Sequence, residues 1–165
     1  MGPSGSRVAI RAAKVEDAAA LERIEAVSFD GDRLSRRSLN HHLQSPTADT
    51  FVAVLAGHIV GYAMLFYRST SSLARLYSIA TLPEARGKGV ANALMAACEK
   101  AARKRGSTAL RLEVRVDNPG AIGLYRKLGY VSFGRKEDYY EDGQAALRFE
   151  KSLAIRPKPA ARIAA

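Results

Sequence analysis

The segment 86–91, with the sequence Arg-Gly-Lys-Gly-Val-Ala, lies where a β-strand pattern ends and a long amphipathic helix pattern begins. Glycines allow a backbone to approach a ligand closely, and the free N–H groups of a first helical turn attract anions. Arg86 and Lys88 would add positive charge to such a site. The segment therefore predicts a pyrophosphate site; the alternative is a basic turn that only starts a helix.

The same segment argues against two common nucleotide motifs. A Walker A loop needs Gly-Lys followed by Ser or Thr, and here Gly89 follows Lys88. The dinucleotide fingerprint needs a third glycine or alanine at the position that Asn92 occupies. Nucleotide hydrolysis and nicotinamide redox chemistry therefore lose support.

Hydrophobic periodicity divides the chain into strands and helices that must position this segment. A strand–helix–strand unit surrounds it, and a right-handed crossover makes the two strands parallel neighbours if they share a sheet. Asn118 is a natural N-cap for the next helix, with Pro119 inside its start and Gly129 after its end. The predicted strands are 8–11, 51–55, 59–67, 73–81, 109–115, 130–133 and 145–153, and the predicted helices are 15–29, 34–43, 89–104 and 119–128. The predicted fold class is α/β.

Composition indicates one packed domain. The 165 residues are 47% apolar and 25% charged, and no apolar run approaches the roughly 20 residues that span a bilayer. The lone Cys98 cannot form an intrachain disulfide framework or a zinc site, so we expect a cytoplasmic protein without a metal or a membrane partner. The domain is predicted at 7–153, between a disordered leader or cloning remnant at 1–6 and a flexible basic tail at 154–165. The net charge of +10 attracts polyanions of every kind and does not choose among them.

Two parts of the chain carry a resemblance to a known family. Arg86, Gly89 and Ala91 match the spacing of motif A of the GCN5-related N-acetyltransferases. The stretch 112–130 resembles the ribosomal-protein-alanine and related protein N-terminal acetyltransferases through its Leu-Glu-Val-Arg, Ala-Ile-Gly-Leu-Tyr and Leu-Gly-Tyr sequences. The resemblance spans roughly 8–153.

This resemblance implies direct transfer of an acetyl group from acetyl-CoA to a primary amine in a ternary complex. It also implies a single domain with a mixed, mostly antiparallel sheet of six to seven strands and about four helices. The sheet would splay between its fourth and fifth strands, where backbone N–H groups can polarise the thioester carbonyl. The residues that the resemblance assigns to the cofactor are Ile79, Ala80, Thr81, Arg86, Gly87, Lys88, Gly89, Val90, Ala91, Asn118 and Tyr125.

The resemblance also assigns two catalytic residues, Glu113 as general base and Tyr125 as general acid. An α-amine, with a pKa of about 8, must lose a proton to attack the thioester. Arg111 and Arg115 share the strand face of Glu113, so we expect a stabilised carboxylate that removes this proton through an ordered water. The alternatives are a surface ion pair for Glu113 and simple packing for Tyr125.

The acceptor is predicted less sharply. Tyr139 and Tyr140 resemble the segment that grips the peptide backbone in protein N-terminal acetyltransferases, and Phe29 and Asp30 belong to the predicted opposite wall. A peptide or protein α-amine, including a ribosomal one, is therefore favoured. The chain has no tryptophan and so departs from the Pro-Trp pair of the ribosomal-protein enzymes at this wall. The alternatives are an acetyltransferase for an antibiotic, a polyamine or another small amine, and a non-catalytic CoA- or nucleic-acid-binding module, although nucleic acid is not the expected partner.

Overall fold

A seven-stranded sheet organises residues 7–154, the part of the chain that the computed structural model describes. Its strands are β1 (Ala9–Ala12), β2 (Ala48–Leu55), β3 (His58–Tyr67), β4 (Leu73–Thr81), β5 (Ala109–Arg115), β6 (Val131–Lys136) and β7 (Ala146–Ser152). The order is β1-β2-β3-β4-β5-β7-β6, and only the β4–β5 pair is parallel. The helices are α1 (Ala18–Ser28), α2 (Arg36–Gln44), α3 (Val90–Lys104) and α4 (Pro119–Lys127). Within 7–154, none of these helices is long and apolar enough to cross a membrane.

The α/β class, the mixed sheet and the four helices confirm the predictions. Every predicted element is present, and the ends differ by a few residues. The largest differences are of three residues, as at the start of β2, which begins at Ala48 rather than at 51 because residues 48–50 also pair with β3 through Ala48–Phe66 and Thr50–Met64. The predicted leader 1–6 and residues 155–165 of the predicted tail lie outside the described residues.

Two hydrophobic cores lie on opposite faces of the sheet. Successive strand side chains point to opposite faces, so Ala63 and Leu65 of β3 enter one core while Tyr62 and Met64 enter the other. The first core packs under α3, whose Leu94, Met95 and Cys98 are fully buried, and the second packs under α1 and α2 through Leu21, Ile24 and Leu39. Each face of the sheet is therefore held by its own helices.

The buried face of α1 differs from its apolar pattern. The spacing Ala18, Leu21, Ile24, Val27 predicts that Val27 is buried, but its side chain is 56% exposed. Glu25 is buried instead, with 2% exposure, because the Tyr62 hydroxyl and the backbone N–H of Leu34 donate hydrogen bonds to its carboxylate. Hydrophobic periodicity cannot foresee a polar group whose partners come from distant parts of the chain.

Gly61 of β3 allows α3 to lie directly on the sheet. A Cβ atom at this position would lie 2.9 Å from Val90 Cγ1 and 3.0 Å from the carbonyl oxygen of Ala80. The second neighbour is backbone and cannot move aside cheaply. Because Gly61 has no side chain, the first turn of α3 can pack closely against the sheet beside the end of β4.

β4 and β5 separate after a short parallel contact. Their register contains only three pairs, from Leu73–Ala109 to Arg75–Arg111, although β4 continues to Thr81 and β5 to Arg115. β4 also bulges at Tyr77, because Leu76 pairs with Leu65 while Ser78 pairs with Met64. Beyond the bulge β4 pairs with β3, which leaves its other edge available to a ligand. The predicted splay between the fourth and fifth strands is confirmed.

Candidate active site

The glycine segment forms a turn that only glycine adopts without strain. Gly87 has a φ of 77° and Gly89 a φ of 76°, both in the left-handed region. Gly89 is the N-cap of α3, and its carbonyl accepts the first helical hydrogen bond from Ala93 at 3.0 Å. The next three N–H groups, those of Val90 and the two residues after it, have no acceptor within the helix. Exposed Arg86 and Lys88 flank this turn, so the segment presents free N–H groups and two cations to solvent.

A cavity of about 220 Å³ lies against this turn. Its walls combine the end of β4, the turn, the first residues of α3 and one residue of α4. The lining residues are Thr81, Ala85, Arg86, Gly87, Gly89, Val90, Ala91, Asn92 and Leu124. Six of the predicted cofactor residues therefore meet at one cavity, where amide donors and Arg86 can hold a diphosphate.

The other predicted cofactor residues do not line this cavity. Ile79 is half-buried against the α3-side core, and Ala80 is buried in the opposite core, so only the backbone of Ala80 can face a ligand at the splay. Asn118 caps α4 by accepting a 3.1 Å hydrogen bond from the N–H of Ala121. The predicted N-cap is confirmed, and the side-chain NH₂ group is the part of Asn118 left for a ligand.

Tyr125 of α4 is buried in the α3-side core. Its side chain is 5% exposed and meets the ring of Tyr130 edge to face, with 5.7 Å between the centroids. Burial raises the pKa of the Tyr125 phenol above its usual range, because desolvation penalises the phenolate. The hydroxyl therefore remains protonated at neutral pH and can act as a hydrogen-bond donor.

Glu113 of β5 points to the other face of the sheet and is held by two arginines. Arg75 contacts carboxylate oxygen Oε2 through Nε at 3.3 Å and Nη2 at 3.2 Å, and Arg148 Nε lies 3.8 Å from Oε1. The carboxylate side chain is 12% exposed. Glu113 is therefore a largely enclosed carboxylate with a cation near each oxygen.

Arg111 and Arg115, the cations expected beside Glu113, form ion pairs with other carboxylates. Arg111 donates to Glu150 at 3.1 Å, and Arg115 donates to Asp117 at 3.0 Å. Side chains two residues apart on a strand share a face, but the closer partners come from across the sheet. The cations that contact the Glu113 carboxylate are Arg75 and Arg148.

Glu113 and Tyr125 lie on opposite faces of the sheet, on either side of the gap between β4 and β5. Leu112 and Val114, the strand neighbours of Glu113, belong to the core that contains Tyr125, whereas Glu113 alternates to the other side. Beyond the three paired residues, β4 and β5 leave an opening between these faces. A thioester in this opening could meet an amine from the Glu113 side and release its thiolate on the Tyr125 side.

The two predicted peptide-binding tyrosines lie beside Glu113. Arg75 Nη2 donates a 2.7 Å hydrogen bond to the hydroxyl oxygen of Tyr139 and also contacts Glu113. Tyr140 packs edge to face on Tyr139, and burial raises the pKa of Tyr140 to about 12. Arg75 therefore connects the predicted base to the predicted acceptor wall.

The opposite wall comes from the segment between α1 and α2. Phe29 is half-buried and packs against the core under α1, while Asp30 is exposed. A Cβ atom on Gly31 would lie 2.5 Å from a carboxylate oxygen of Glu141, so the segment after α1 touches the segment between β6 and β7. The two predicted acceptor walls therefore meet, with carboxylates at their rim.

Arg75 is the site residue that the sequence interpretation missed. Its signal is weak, because a lone arginine in a strand is usually solvated. The parallel register aligns Arg75 with Arg111, two residues before Glu113 on the neighbouring strand. A sequence that predicts both strands and their parallel pairing still does not give this register.

Cys98 is a packed core thiol, as its place on the apolar face of α3 predicts. It has no exposed surface, and burial raises the pKa of its thiol to about 12. A thiol that stays protonated and enclosed is a poor nucleophile, which disfavours an acetyl-enzyme intermediate. Among the described residues, no three His, Cys, Asp or Glu side chains come together as a metal site.

A parallel strand pair that splays beside a glycine turn, with a carboxylate across the gap, defines the N-acetyltransferase class. The chain belongs to the acetyltransferase (GNAT) family, whose family model matches residues 15–130. Enzymes of this family use acetyl-CoA as the acetyl donor.

The relatives differ in the acceptors for which they are named. A Bacillus subtilis protein, provisionally assigned as a ribosomal protein bS18-alanine N-acetyltransferase, is 32% identical over 143 residues, covering 86% of this chain and 93% of its own. An N-alpha-acetyltransferase of Sulfurisphaera tokodaii is 37% identical over 116 residues, covering 64% of this chain and 70% of its own. The crystal structure of the Escherichia coli ribosomal-protein-S18-alanine N-acetyltransferase superposes with a TM-score of 0.81 at 24% identity, covering 94% of this chain and 99% of that one. Another relative is named for the antibiotic streptothricin.

Substituting Gly89 by Ala tests the phosphate turn. We expect Gly89→Ala to weaken acetyl-CoA binding about tenfold, because a Cβ in the left-handed region costs about 1–2 kcal/mol and distorts the amides that face the ligand. Gly57→Ala is a matched control, since its φ is 79° and, as at Gly89, a Cβ would meet no atom within 4 Å. Titration calorimetry should give a weaker Kd for the first variant and the wild-type Kd for the second. Equal Kd values in both variants would contradict the assignment.

Proposed function

We propose that the protein acetylates the α-amine at the N-terminus of a protein or peptide in the cytoplasm. The observation that carries this proposal is the Arg75 bridge, which connects Glu113 to the Tyr139 hydroxyl. A peptide gripped at Tyr139 and Tyr140 would present its terminal amine beside the carboxylate. The Bacillus relative is named for an alanine of a ribosomal protein and the Sulfurisphaera relative for N-alpha-acetylation, and both names support the same choice.

In this proposal the glycine turn holds the diphosphate of acetyl-CoA. The free N–H groups at Val90 and Ala91 would donate to the phosphate oxygens, and Arg86 and Lys88 would neutralise charge. The open edge of β4 would pair with the pantetheine arm through the backbone around Ile79 and Thr81. An N–H group freed by the bulge would then polarise the thioester carbonyl.

Glu113 would remove the proton that the attacking amine must lose. The amine nitrogen forms a C–N bond to the thioester carbon, the C–S bond breaks, and the proton leaves through water to Glu113. Both carboxylate oxygens already face cations, Arg75 on one side and Arg148 on the other, which favours this relay over direct contact. The same cations disfavour a protonated amine nearby and so favour the nucleophilic form.

Tyr125 would stabilise the leaving thiolate from the opposite face. A thiol has a reference pKa of about 8.5, whereas the pKa of Tyr125 is raised above its usual value by burial. Complete proton transfer from this phenol to the thiolate is therefore uphill, and the hydroxyl acts first as a hydrogen-bond donor. The thiolate then takes its proton from the Tyr125 hydroxyl, and water returns a proton to Tyr125, so that no phenolate persists in the core.

Replacing Glu113 by Gln tests the base. We expect Glu113→Gln to lower kcat about 100-fold at neutral pH, because a positioned base contributes about 10² or more, with little change in the Kd of acetyl-CoA. Glu150→Gln is the control, since Glu150 forms a similar strand-face ion pair with Arg111. Steady-state kinetics that show the same small loss in both variants would reduce Glu113 to an ordinary ion pair.

Replacing Tyr125 by Phe tests the hydroxyl while keeping the ring. We expect Tyr125→Phe to lower kcat at least about tenfold through loss of one hydrogen bond to a charged group, with a melting temperature within a few degrees of the wild type. Tyr130→Phe serves as control because Tyr130 packs on Tyr125 and is also buried. Wild-type turnover in Tyr125→Phe would remove the hydroxyl from the mechanism.

A polyamine or another cationic small amine is the second candidate acceptor. The supporting observation is the acidic rim, where exposed Asp30 and the Glu141 carboxylate that touches Gly31 lie on the acceptor walls. Such carboxylates attract any cationic amine and do not require a peptide.

A panel of amines separates the two candidates. Thiol release from acetyl-CoA is followed with free N-terminal peptides, the same peptides with a formylated terminus and an internal lysine, and spermidine. We expect turnover only on the free termini. Turnover on spermidine without turnover on peptides would replace the proposal, and turnover on the blocked lysine peptides would change it to lysine acetylation.

A further inference from the structure

The buried carboxylate of Glu25 has no role in the mechanism above. It is 2% exposed, and none of the described arginines, lysines or histidines forms an ion pair with it. An isolated buried carboxylate is expensive to desolvate and persists only with good hydrogen-bond partners. Glu25 therefore needs a reason to be retained at a position where an apolar residue would pack.

Three groups from separate parts of the chain surround this carboxylate. The Tyr62 hydroxyl donates to Oε1, and the Ser78 hydroxyl lies 3.5 Å from Oε1 and 2.9 Å from the Tyr62 oxygen. The backbone N–H of Leu34 donates to Oε2 at 3.1 Å. Burial raises the pKa of the Tyr62 phenol above its usual range, so Tyr62 keeps the proton that it donates. Each carboxylate oxygen thus connects α1 to a different element.

The two connected elements belong to opposite sides of the proposed reaction. Ser78 lies on β4 directly before Ile79, within the strand edge opened by the bulge. Leu34 ends the segment 29–34, which includes the acceptor wall at Phe29 and Asp30. The backbone N–H groups at the two ends of this segment both donate to Glu25: that of Phe29 donates to its carbonyl oxygen at 3.0 Å, and that of Leu34 donates to its carboxylate at 3.1 Å.

We propose that Glu25 is a positioning residue that fixes the acceptor wall at the distance from β4 that amine attack requires. The proposal rests on the proposed function, because it assigns donor and acceptor to these two elements. Glu25 touches neither substrate and acts through the N–H of Leu34 on one side and through Tyr62 and Ser78 on the other. Loss of the Glu25 carboxylate would leave the diphosphate turn unchanged and would move the acceptor away from the position needed for attack.

The main test is the double variant Glu25→Leu/Tyr62→Phe. Removing both partners together avoids leaving the Tyr62 hydroxyl unpaired. The N–H of Leu34 and the hydroxyl of Ser78 lose a partner, so we expect a lower melting temperature, and the kinetics are measured well below it. We expect the KM for the acceptor to rise about tenfold, because a small misplacement of a substrate-positioning segment can cost up to about 10²-fold, while the Kd of acetyl-CoA stays within about twofold. Thr50→Val is the control, because it removes another buried hydroxyl from β2 that has no hydrogen-bond partner. It should leave both constants unchanged.

Hydrogen exchange gives a readout that does not depend on activity. The amide of Leu34 should exchange faster in the double variant and at the wild-type rate in Thr50→Val. Glu25→Gln, which keeps one acceptor oxygen, is the second variant if the double variant does not fold, and it should give a smaller rise in KM. The acceptor used in these assays is the amine that the wild type acetylates in the panel above. If that amine is not a peptide, the peptide assignment fails while this proposal can still be tested. Unchanged exchange at Leu34, an unchanged acceptor KM, or equal losses for acceptor and acetyl-CoA would each overturn the proposal.

Discussion

The short parallel contact between β4 and β5 is the constraint on which the rest of the structure depends. The two strands pair over three residues and then diverge, while β4 bulges at Tyr77 and stays bound to β3. A continuous ladder would use every backbone donor on this edge and would close the passage between the faces of the sheet. Where the two strands diverge, hydrogen bonds between them are missing, and the unpaired backbone groups of β4 can bond to a ligand.

The opening divides the chemistry between two faces. On one face, the glycine turn and the first turn of α3 line a cavity that suits an anionic ligand, and Tyr125 is buried in the core on the same face. On the other face, Arg75 and Arg148 enclose Glu113, and the segments that carry Phe29 and Tyr139 approach each other. Direct transfer needs only that donor and acceptor meet in the gap. The buried Cys98, which lies under α3 with a protonated thiol, fits a mechanism without a covalent enzyme intermediate.

Sequence patterns predict the elements of this fold well, because most of them carry strong local signals. Alternation from Ala109 to Arg115 predicts β5, and Asn118, Pro119 and Gly129 delimit α4 almost to the residue. The failures concern contacts between distant segments. The pairing of Glu113 with Arg75 depends on a strand register, and the burial of Glu25 depends on donors that are 9 and 37 residues away along the chain. Local patterns contain neither kind of information.

Backbone amide chemical shifts followed during an acetyl-CoA titration test the central claim most directly. The account requires the largest changes at the glycine turn, residues 87–92, and along the open edge of β4 at residues 79–81, with smaller changes at the far end of this strand. A second cleft, lined by Arg68, Arg105 and several hydroxyl residues, lies at that far end and provides an internal comparison. Changes concentrated at this cleft, or no saturable change at the turn, would contradict the account.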